Sequence, residues 1–171
     1  MNRTPRLLTC LSCLVLLAGC GGGGDDSKQT DAESRGGDTP KAKPVDACTL
    51  LDKAAVAEAI GEDISKVEGQ ETPDGASTCS WFGVDDGSLQ QKGITLIAAA
   101  DNGKERWDAH RDLMGEAQPV SGVGEQAVTA DEVVAAYEGD AFVVASPLYA
   151  ESGVEASQVQ AMATDALDAM Q

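Results

Sequence analysis

The sequence predicts an α+β domain in which helices pack on an antiparallel sheet. Two observations carry this prediction. Apolar residues at helical spacing alternate along the chain with short runs of strand character. In addition, "EVVAAYEGDAFVVASPL" reads as a hairpin around the two-residue loop Gly139-Asp140. That register places Tyr137 opposite Phe142 and Ala135 opposite Val144, which are favourable cross-strand pairs.

The first helix is predicted within "CTLLDKAAVAEAIG". Asp52 is a suitable N-cap, and Leu51 before it is spaced to contact Val56 as a hydrophobic staple. Gly61 ends the helix. The stretches "STCSWFGV" and "GITLIAAA" then read as strands, with Cys79 and Trp81 on one face of the first.

A second helix is predicted within "DNGKERWDAHRDLMG". Asn102 and Glu105 have capping-box spacing, and Gly115 ends the helix. Trp107, His110 and Met114 are spaced so that they form one stripe along this helix.

The chain ends in an amphipathic helix that Ser152 and Glu155 are spaced to cap. Its apolar positions are Val159, Met162, Ala163, Ala166, Leu167 and Met170. The predicted order is therefore helix, two or three strands, helix, three strands, helix. The two halves share an element order, which suggests an internal duplication, although no residue-level repeat accompanies it.

The N-terminus has the three parts of an export signal. Arg3 and Arg6 form a positive region, residues 7–17 form an apolar region, and Ala18-Gly19 forms a small-residue exit. The apolar region is about half of the roughly 20 residues that a spanning helix requires. Residues 1–19 are therefore predicted to be a cleaved signal peptide.

The exit site resembles the bacterial lipobox, in which an aliphatic and two small residues precede a cysteine. Here those residues are Leu17-Ala18-Gly19-Cys20, whereas Cys10 and Cys13 follow unsuitable residues. The resemblance implies that the Cys20 thiol carries diacylglycerol and becomes the first mature residue. We therefore expect a lipid-anchored protein on the extracytoplasmic side of the cell membrane, with residues 20–45 as a flexible tether and 46–171 as one folded domain.

The chain of 171 residues is strongly acidic, with 29 acidic against 12 basic residues. Removal of the two signal-peptide arginines takes the formal charge from −17 to −19. Such a charge repels phosphate groups, so we expect no nucleic-acid binding and no adsorption of the domain to anionic lipid. The acidity is explained by solubility; calcium or a basic partner is the alternative.

Cys48 and Cys79 are the two cysteines that remain beside the anchor after processing. An even pair outside the cytoplasm predicts a disulfide. A zinc site would need two more ligands although the chain has one histidine, and a redox pair would more often have C-x-x-C spacing.

No catalytic constellation stands out in the sequence. His110 is the only histidine, and its neighbours Asp108 and Asp112 are two residues away, a spacing that does not bring helical side chains face to face. We therefore assign no catalytic residue, no metal and no cofactor, and expect a protein that is not an enzyme.

The motifs "DACTLLDKAAVAEAIG", "CSW" and "VSGVGEQA" resemble those of a family of actinobacterial lipoproteins of unknown function. The matching features are the lipobox, the tether, C-x-L-L at Cys48, C-x-W at Cys79 and V-x-G-x-G-E-x-A from Val120. The chain departs from the family pattern at Asp52 and Ala55, both at a helix start. The resemblance implies an envelope lipoprotein with one disulfide and implies no activity.

Taken together, the sequence favours a monomeric, non-enzymatic binding domain that engages another envelope protein. The alternative is a carrier or sensor of a small or apolar ligand, held in a cavity between the sheet and a helix. The alanine-rich strands motivate this alternative, because small side chains such as Ala135 leave room for a ligand.

Overall fold

A computed structural model describes residues 44–85, 91–149 and 152–171. A 3₁₀ turn at Ala47–Thr49 precedes three helices and seven strands in these ranges. Their order is α1 (Lys53–Ile60), β1 (Lys66–Glu71), β2 (Ser77–Phe82), β3 (Gly93–Ala99), α2 (Gly103–Leu113), β4 (Gln118–Val120), β5 (Gln126–Ala130), β6 (Val133–Glu138), β7 (Ala141–Pro147) and α3 (Ala156–Ala169).

The seven strands form one antiparallel sheet in the order β1-β2-β3-β7-β6-β5-β4. Two meanders, β1 to β3 and β4 to β7, join where β3 pairs with β7. The predicted α+β class and element order are confirmed, and β4 is a short additional strand. The hairpin register is also confirmed, with Tyr137 opposite Phe142 and Ala135 opposite Val144.

The face of the sheet that we call the inner face is covered by α1, the 3₁₀ turn and α3. Its side chains and those of the covering helices form one buried cluster. The sheet contributes Cys79, Trp81, Ile94, Leu96, Ala98, Val134, Ala136, Val143 and Ala145, and α3 contributes Val159, Met162, Ala163, Ala166 and Leu167. Buried alanines of α3 and of the sheet belong to this one cluster, so α3 packs closely on β6 and β7.

The first helix begins and ends as predicted. The Asp52 carboxylate accepts hydrogen bonds from the backbone N–H groups of Ala54 (2.7 Å) and Ala55 (3.3 Å). Gly61 follows the helix with a φ of 74°, a conformation that glycine adopts without steric cost. The Leu51 and Val56 side chains are both buried in the inner cluster.

The predicted caps of the other two helices are only partly right. Asn102 does precede α2, but its backbone is left-handed with a φ of 54° and its side chain makes no capping hydrogen bond, so the predicted capping box is wrong. For α3 the N-cap is Glu155, whose N–H donates to Gln158 Oε1 at 2.8 Å. Ser152 instead accepts a hydrogen bond from the Val154 N–H, within the segment before the helix.

The two domain cysteines are bonded, with an S–S distance of 2.00 Å between Cys48 and Cys79. The disulfide ties the 3₁₀ turn to β2. Trp81 lies on the same face as Cys79 and is buried in the inner cluster, as the predicted strand pattern required.

The predicted signal peptide, Cys20 and nearly all of the tether lie outside the described residues. Within the described ranges no helix is both long and apolar enough to cross a membrane.

Candidate functional site: a groove beside the second helix

The second face of the sheet, which we call the outer face, is only half covered. Helix α2 packs on β6 and β7 there. The buried cluster beneath it contains Trp107, Val128, Ala135, Tyr137, Phe142 and Val144. The neighbouring strands β3, β2 and β1 continue the outer face to one side of this helix. A boundary between covered and uncovered sheet therefore runs along α2.

The start of α2 is fixed by close approach to the β6–β7 hairpin. A Cβ atom at Gly103 would lie 2.6 Å from the carbonyl oxygen of Ala141, so a larger residue would push the helix away from the sheet. One turn later Trp107 is buried with its ring centroid 5.4 Å from that of Tyr137. The guanidinium carbon of Arg111 lies 4.7 Å from the Trp107 ring centre, on the solvent side.

Arg106 joins α2 to the turn between β1 and β2. Its guanidinium donates to the Asp74 carboxylate at 2.7 Å, to the Asp74 carbonyl at 2.7 Å and to the Asp101 carboxylate at 2.9 Å. Only 16% of the Arg106 side chain is exposed. Hydrogen bonds from a fixed, partly buried guanidinium hold two loops in one geometry.

Asp74 is held in its charged form by these contacts. A hydrogen bond from the Thr72 hydroxyl, followed by one from Arg106, lowers the pKa of Asp74 from 3.8 to about 2. The β1–β2 turn therefore keeps its negative charge, and its link to Arg106, throughout the physiological pH range.

Between this turn and α2 lies a groove of about 360 Å³, which we call the α2 groove. It is lined by Ile97, Phe142 and Val144 from the sheet, by Arg106, Ala109, His110 and Leu113 from α2, and by Thr72, Asp74, Ala76 and Thr78 from β1–β2. Leu113 forms part of its wall and is 82% exposed. Leu113 and the apolar floor line one groove, and exposed apolar surface that is contiguous, unlike a single exposed side chain, marks interaction sites.

His110 lies on the groove wall with an aromatic neighbour. Its ring meets that of Phe142 edge to face at 5.9 Å, and burial lowers the pKa of His110 below its usual 6.5. The predicted stripe of α2 is confirmed, because Trp107 is buried and Met114 packs against the same cluster.

The carboxylates next to His110 in sequence pair with basic groups of the same helix. Asp108 lies 2.6 Å from Lys104 Nζ and 3.3 Å from Arg111, and Asp112 lies 3.0 Å from Arg111. Within the described residues neither carboxylate is hydrogen-bonded to His110. The geometry thus places the imidazole against an apolar floor rather than in an acid–base pair.

Beyond the groove the outer face is polar except for Phe82, whose ring centroid lies 5.4 Å from Lys66 Nζ. The hydroxyls of Ser80 and Thr95 are hydrogen-bonded at 3.0 Å across β2 and β3. Glu68 and Gln70 lie on the same face of β1, opposite Ser80 and Thr78. Polar outward residues are the ordinary pattern of an antiparallel sheet that faces water. The continuous apolar strip of this face therefore lies in the α2 groove, and Phe82 is covered by Lys66.

A second concave surface lies at the β5–β6 turn, where both central residues are strained. Asp131 and Glu132 have φ values of 47° and 67°, a left-handed conformation that non-glycine residues avoid. Met114, Glu116 and Thr129 line the same depression. No group of three or more His, Cys, Asp or Glu side chains in the described ranges is arranged to hold a metal ion.

Of the residues singled out in the sequence, Cys48 and Cys79 form a disulfide on the inner face. His110 lies on the outer face, away from both cysteines and in contact with Phe142. Sequence reasoning missed Arg106 and Leu113. Leu113 had a signal, since it follows His110 by three residues and therefore lies on a neighbouring part of the same helix face.

No protein-family model, curated protein sequence or solved structure matches this chain.

Proposed function

We propose that this protein is a lipid-anchored, extracytoplasmic binding module, without enzymatic activity, that engages another envelope protein through the α2 groove. The observation that carries the proposal is the position of Leu113. It projects beside a groove whose floor of Ile97, Phe142 and Val144 is already held by the sheet. A partner side chain entering the groove would bury apolar surface on both sides without prior rearrangement.

The rigidity of the groove also favours recognition of a protein. Arg106 fixes the β1–β2 turn on one side, and the packing of Trp107 fixes α2 on the other. A preorganised apolar groove surrounded by polar surface loses little conformational entropy on binding. Net acidity disfavours nucleic acid and anionic lipid as partners.

The proposal of membrane attachment rests on the lipobox at Cys20. Cys20→Ala removes the thiol that would carry the lipid, and we expect it to release the protein from the membrane fraction into the medium. Ala18→Ser, which keeps a small residue before the cysteine, serves as the control. Retention of the Cys20→Ala chain in the membrane would contradict the anchor.

The groove is tested by photo-crosslinking in intact cells. A photoreactive amino acid replaces Leu113 on the groove wall or, as the control, Asp165, an exposed residue of α3. We expect a discrete protein adduct from position 113 alone. In the same chain Ala109→Trp, which fills the groove from an exposed position, is expected to abolish the adduct.

A second candidate function is a carrier or sensor of a small apolar ligand. The volume of the groove favours it, since about 360 Å³ lies in the range of small-molecule sites. Native mass spectrometry of the gently purified chain distinguishes the two. A small-molecule adduct that Ala109→Trp removes supports the carrier, and equal crosslinking from positions 113 and 165, with no such adduct, overturns both.

The family proposal is separate from the groove. The lipobox, C-x-L-L, C-x-W and V-x-G-x-G-E-x-A motifs support membership of the actinobacterial lipoprotein family described above. Expression in an actinobacterial host is therefore the natural setting for the crosslinking.

A further inference from the structure

Among the strands of the described residues, β1 lies at the edge of the sheet, and its outward backbone groups form a distinct surface. The Thr72 N–H donates to the Ala76 carbonyl at 2.8 Å, which fixes the alternation of hydrogen bonds between β1 and β2. Residues 66, 68 and 70 thus exchange bonds with β2, whereas the N–H and C=O groups of Val67, Gly69 and Glu71 point away from it. The side chains of β1 are exposed throughout, and Val67, an apolar residue, is 40% exposed.

We propose that β1 pairs antiparallel with β1 of a second copy of this chain, with Val67 opposite its own counterpart. This interface goes beyond the proposed function, because it does not involve the groove. Val67 is the centre of the symmetric pair because its N–H and C=O both face outward and bond reciprocally with those of its counterpart. The two valine side chains then cover each other.

Charge complementarity selects this register. With Val67 on the two-fold axis, Lys66 of each copy lies directly opposite Glu68 of the other. In the monomer Lys66 and Glu68 already lie 2.6 Å apart on the outer face of one strand, so the pairing creates an alternating square of two positive and two negative groups. Moving the axis to position 68 would bring two glutamates face to face, which is unfavourable.

The net charge opposes association in general but not this contact. Repulsion between the acidic domains is screened over about 8 Å at physiological salt, whereas the Lys66–Glu68 contacts are direct. The interface is small, because with Val67 on the axis only residues 66–68 of the two strands face each other. We therefore expect a weak dimer with a dissociation constant on the order of 0.1 mM, which anchoring of both copies in one membrane would favour through high local concentration.

The two-fold symmetry of the pair determines the directions in which the two α2 grooves face. The two-fold axis is perpendicular to the sheet, because the paired edges are antiparallel strands of one continuous sheet. Both outer faces therefore point to the same side, and both α2 grooves are displayed together. The sequence analysis favoured a monomer, whereas the geometry of the β1 edge leads us to propose a dimer.

Register-specific disulfide crosslinking of the full chain in its membrane tests the pairing. Val67→Cys places two thiols on opposed residues about 5.5 Å apart between Cα atoms, within the range of a disulfide. Glu71→Cys is the matched control, since it lies on the same strand face and two copies would be about 26 Å apart. We expect a dimer on non-reducing gels from Val67→Cys alone. Absence of that dimer, or equal crosslinking of both variants, would overturn the proposal.

Exchanging the charges at positions 66 and 68 tests the register. In the Val67→Cys chain, Lys66→Glu or Glu68→Lys alone is expected to lower the crosslinking rate about tenfold, and the two together to restore it. Failure of the double exchange to restore a rate that the single changes lower would contradict the register.

A measurement without introduced thiols completes the test. The exported chain with Cys20→Ala is expected to dimerise in sedimentation equilibrium as its concentration rises to about 1 mM. Val67→Pro should abolish this, because proline removes an outward N–H and leaves the bonds to β2 intact. A chain that stays monomeric at that concentration would also overturn the proposal.

Discussion

Gly69 lies against the sulfur of Cys48, at the point where the disulfide crosses the inner face of β1. A Cβ atom at position 69 would stand 3.0 Å from Cys48 Sγ, closer than side chains normally pack. Gly69 is also directly opposite Cys79 in the sheet. The glycine thus provides the space in which Cys48 reaches Cys79, and a strand interior otherwise gains nothing from glycine.

We therefore expect Gly69→Val to lower the free energy of unfolding by about 1–3 kcal/mol through overpacking. Urea unfolding followed by tryptophan fluorescence measures it. Gln70→Val, on the outer face of the same strand, is the control and should cost little. In a Cys48→Ala/Cys79→Ala background the penalty at position 69 should largely disappear. An unchanged penalty there would show that the disulfide does not set the need for glycine.

The Cys48–Cys79 disulfide itself is expected to stabilise the domain by about 2–4 kcal/mol, since it closes a loop with a sequence separation of 31. Cys48→Ala/Cys79→Ala should lower the urea midpoint accordingly. Reduction of the unmodified chain should produce the same shift, and the double variant should not respond to reductant. A response of the double variant would point to another redox-sensitive group.

Arg106 is predicted to stabilise the wall of the α2 groove. Arg106→Lys keeps the charge but loses the planar set of donors to Asp74 and Asp101, so we expect a loss of about 1–3 kcal/mol in the free energy of unfolding. It should also reduce crosslinking from position 113. Lys104→Ala, which breaks an exposed ion pair on the same helix, should cost less than about 0.5 kcal/mol. Equal effects of the two changes would contradict this role.

Local signals in the sequence were sufficient for several features. The Asp52 cap, the Gly61 stop and the hairpin at Gly139-Asp140 each depend on residues a few positions apart. The pairing of Cys48 with Cys79 followed from their number and compartment. Such features are predictable because short-range geometry determines them.

The groove could not be predicted for the opposite reason. Arg106 bonds Asp74 from 32 positions away, and only the pairing of β3 with β7 brings α2 to the outer face beside that turn. Asn102 does not form the predicted capping box, because the close contact of Gly103 with the β6–β7 hairpin determines where α2 begins. This tertiary contact overrides the local preference.

The turn between β5 and β6 is predicted to store strain. Asp131 and Glu132 occupy the left-handed region that Asn-Gly occupies readily in two-residue hairpin loops. Asp131→Asn/Glu132→Gly should therefore raise the free energy of unfolding by about 1–2 kcal/mol. Glu132→Gln, which removes a charge but keeps the strain, is the control and should have a smaller effect. If that variant stabilises the protein as much as the double change, the charge is responsible rather than the backbone.

His110 is expected to make stability depend on pH. Burial against Phe142 lowers its folded pKa below its ordinary value of 6.5, so at acidic pH the unfolded chain binds a proton more readily than the folded one. This contribution is absent above about pH 7 and destabilises the fold as the pH falls below 6.5. The Asp74 carboxylate, with a pKa of about 2, does not titrate in that window. Denaturant unfolding between pH 7.5 and 5 should therefore show a steeper loss of stability for the unmodified chain than for His110→Gln, which cannot gain a proton. Parallel curves for the two chains would show that His110 is as readily protonated in the folded domain as in the unfolded chain, and that the groove floor is not apolar at that point.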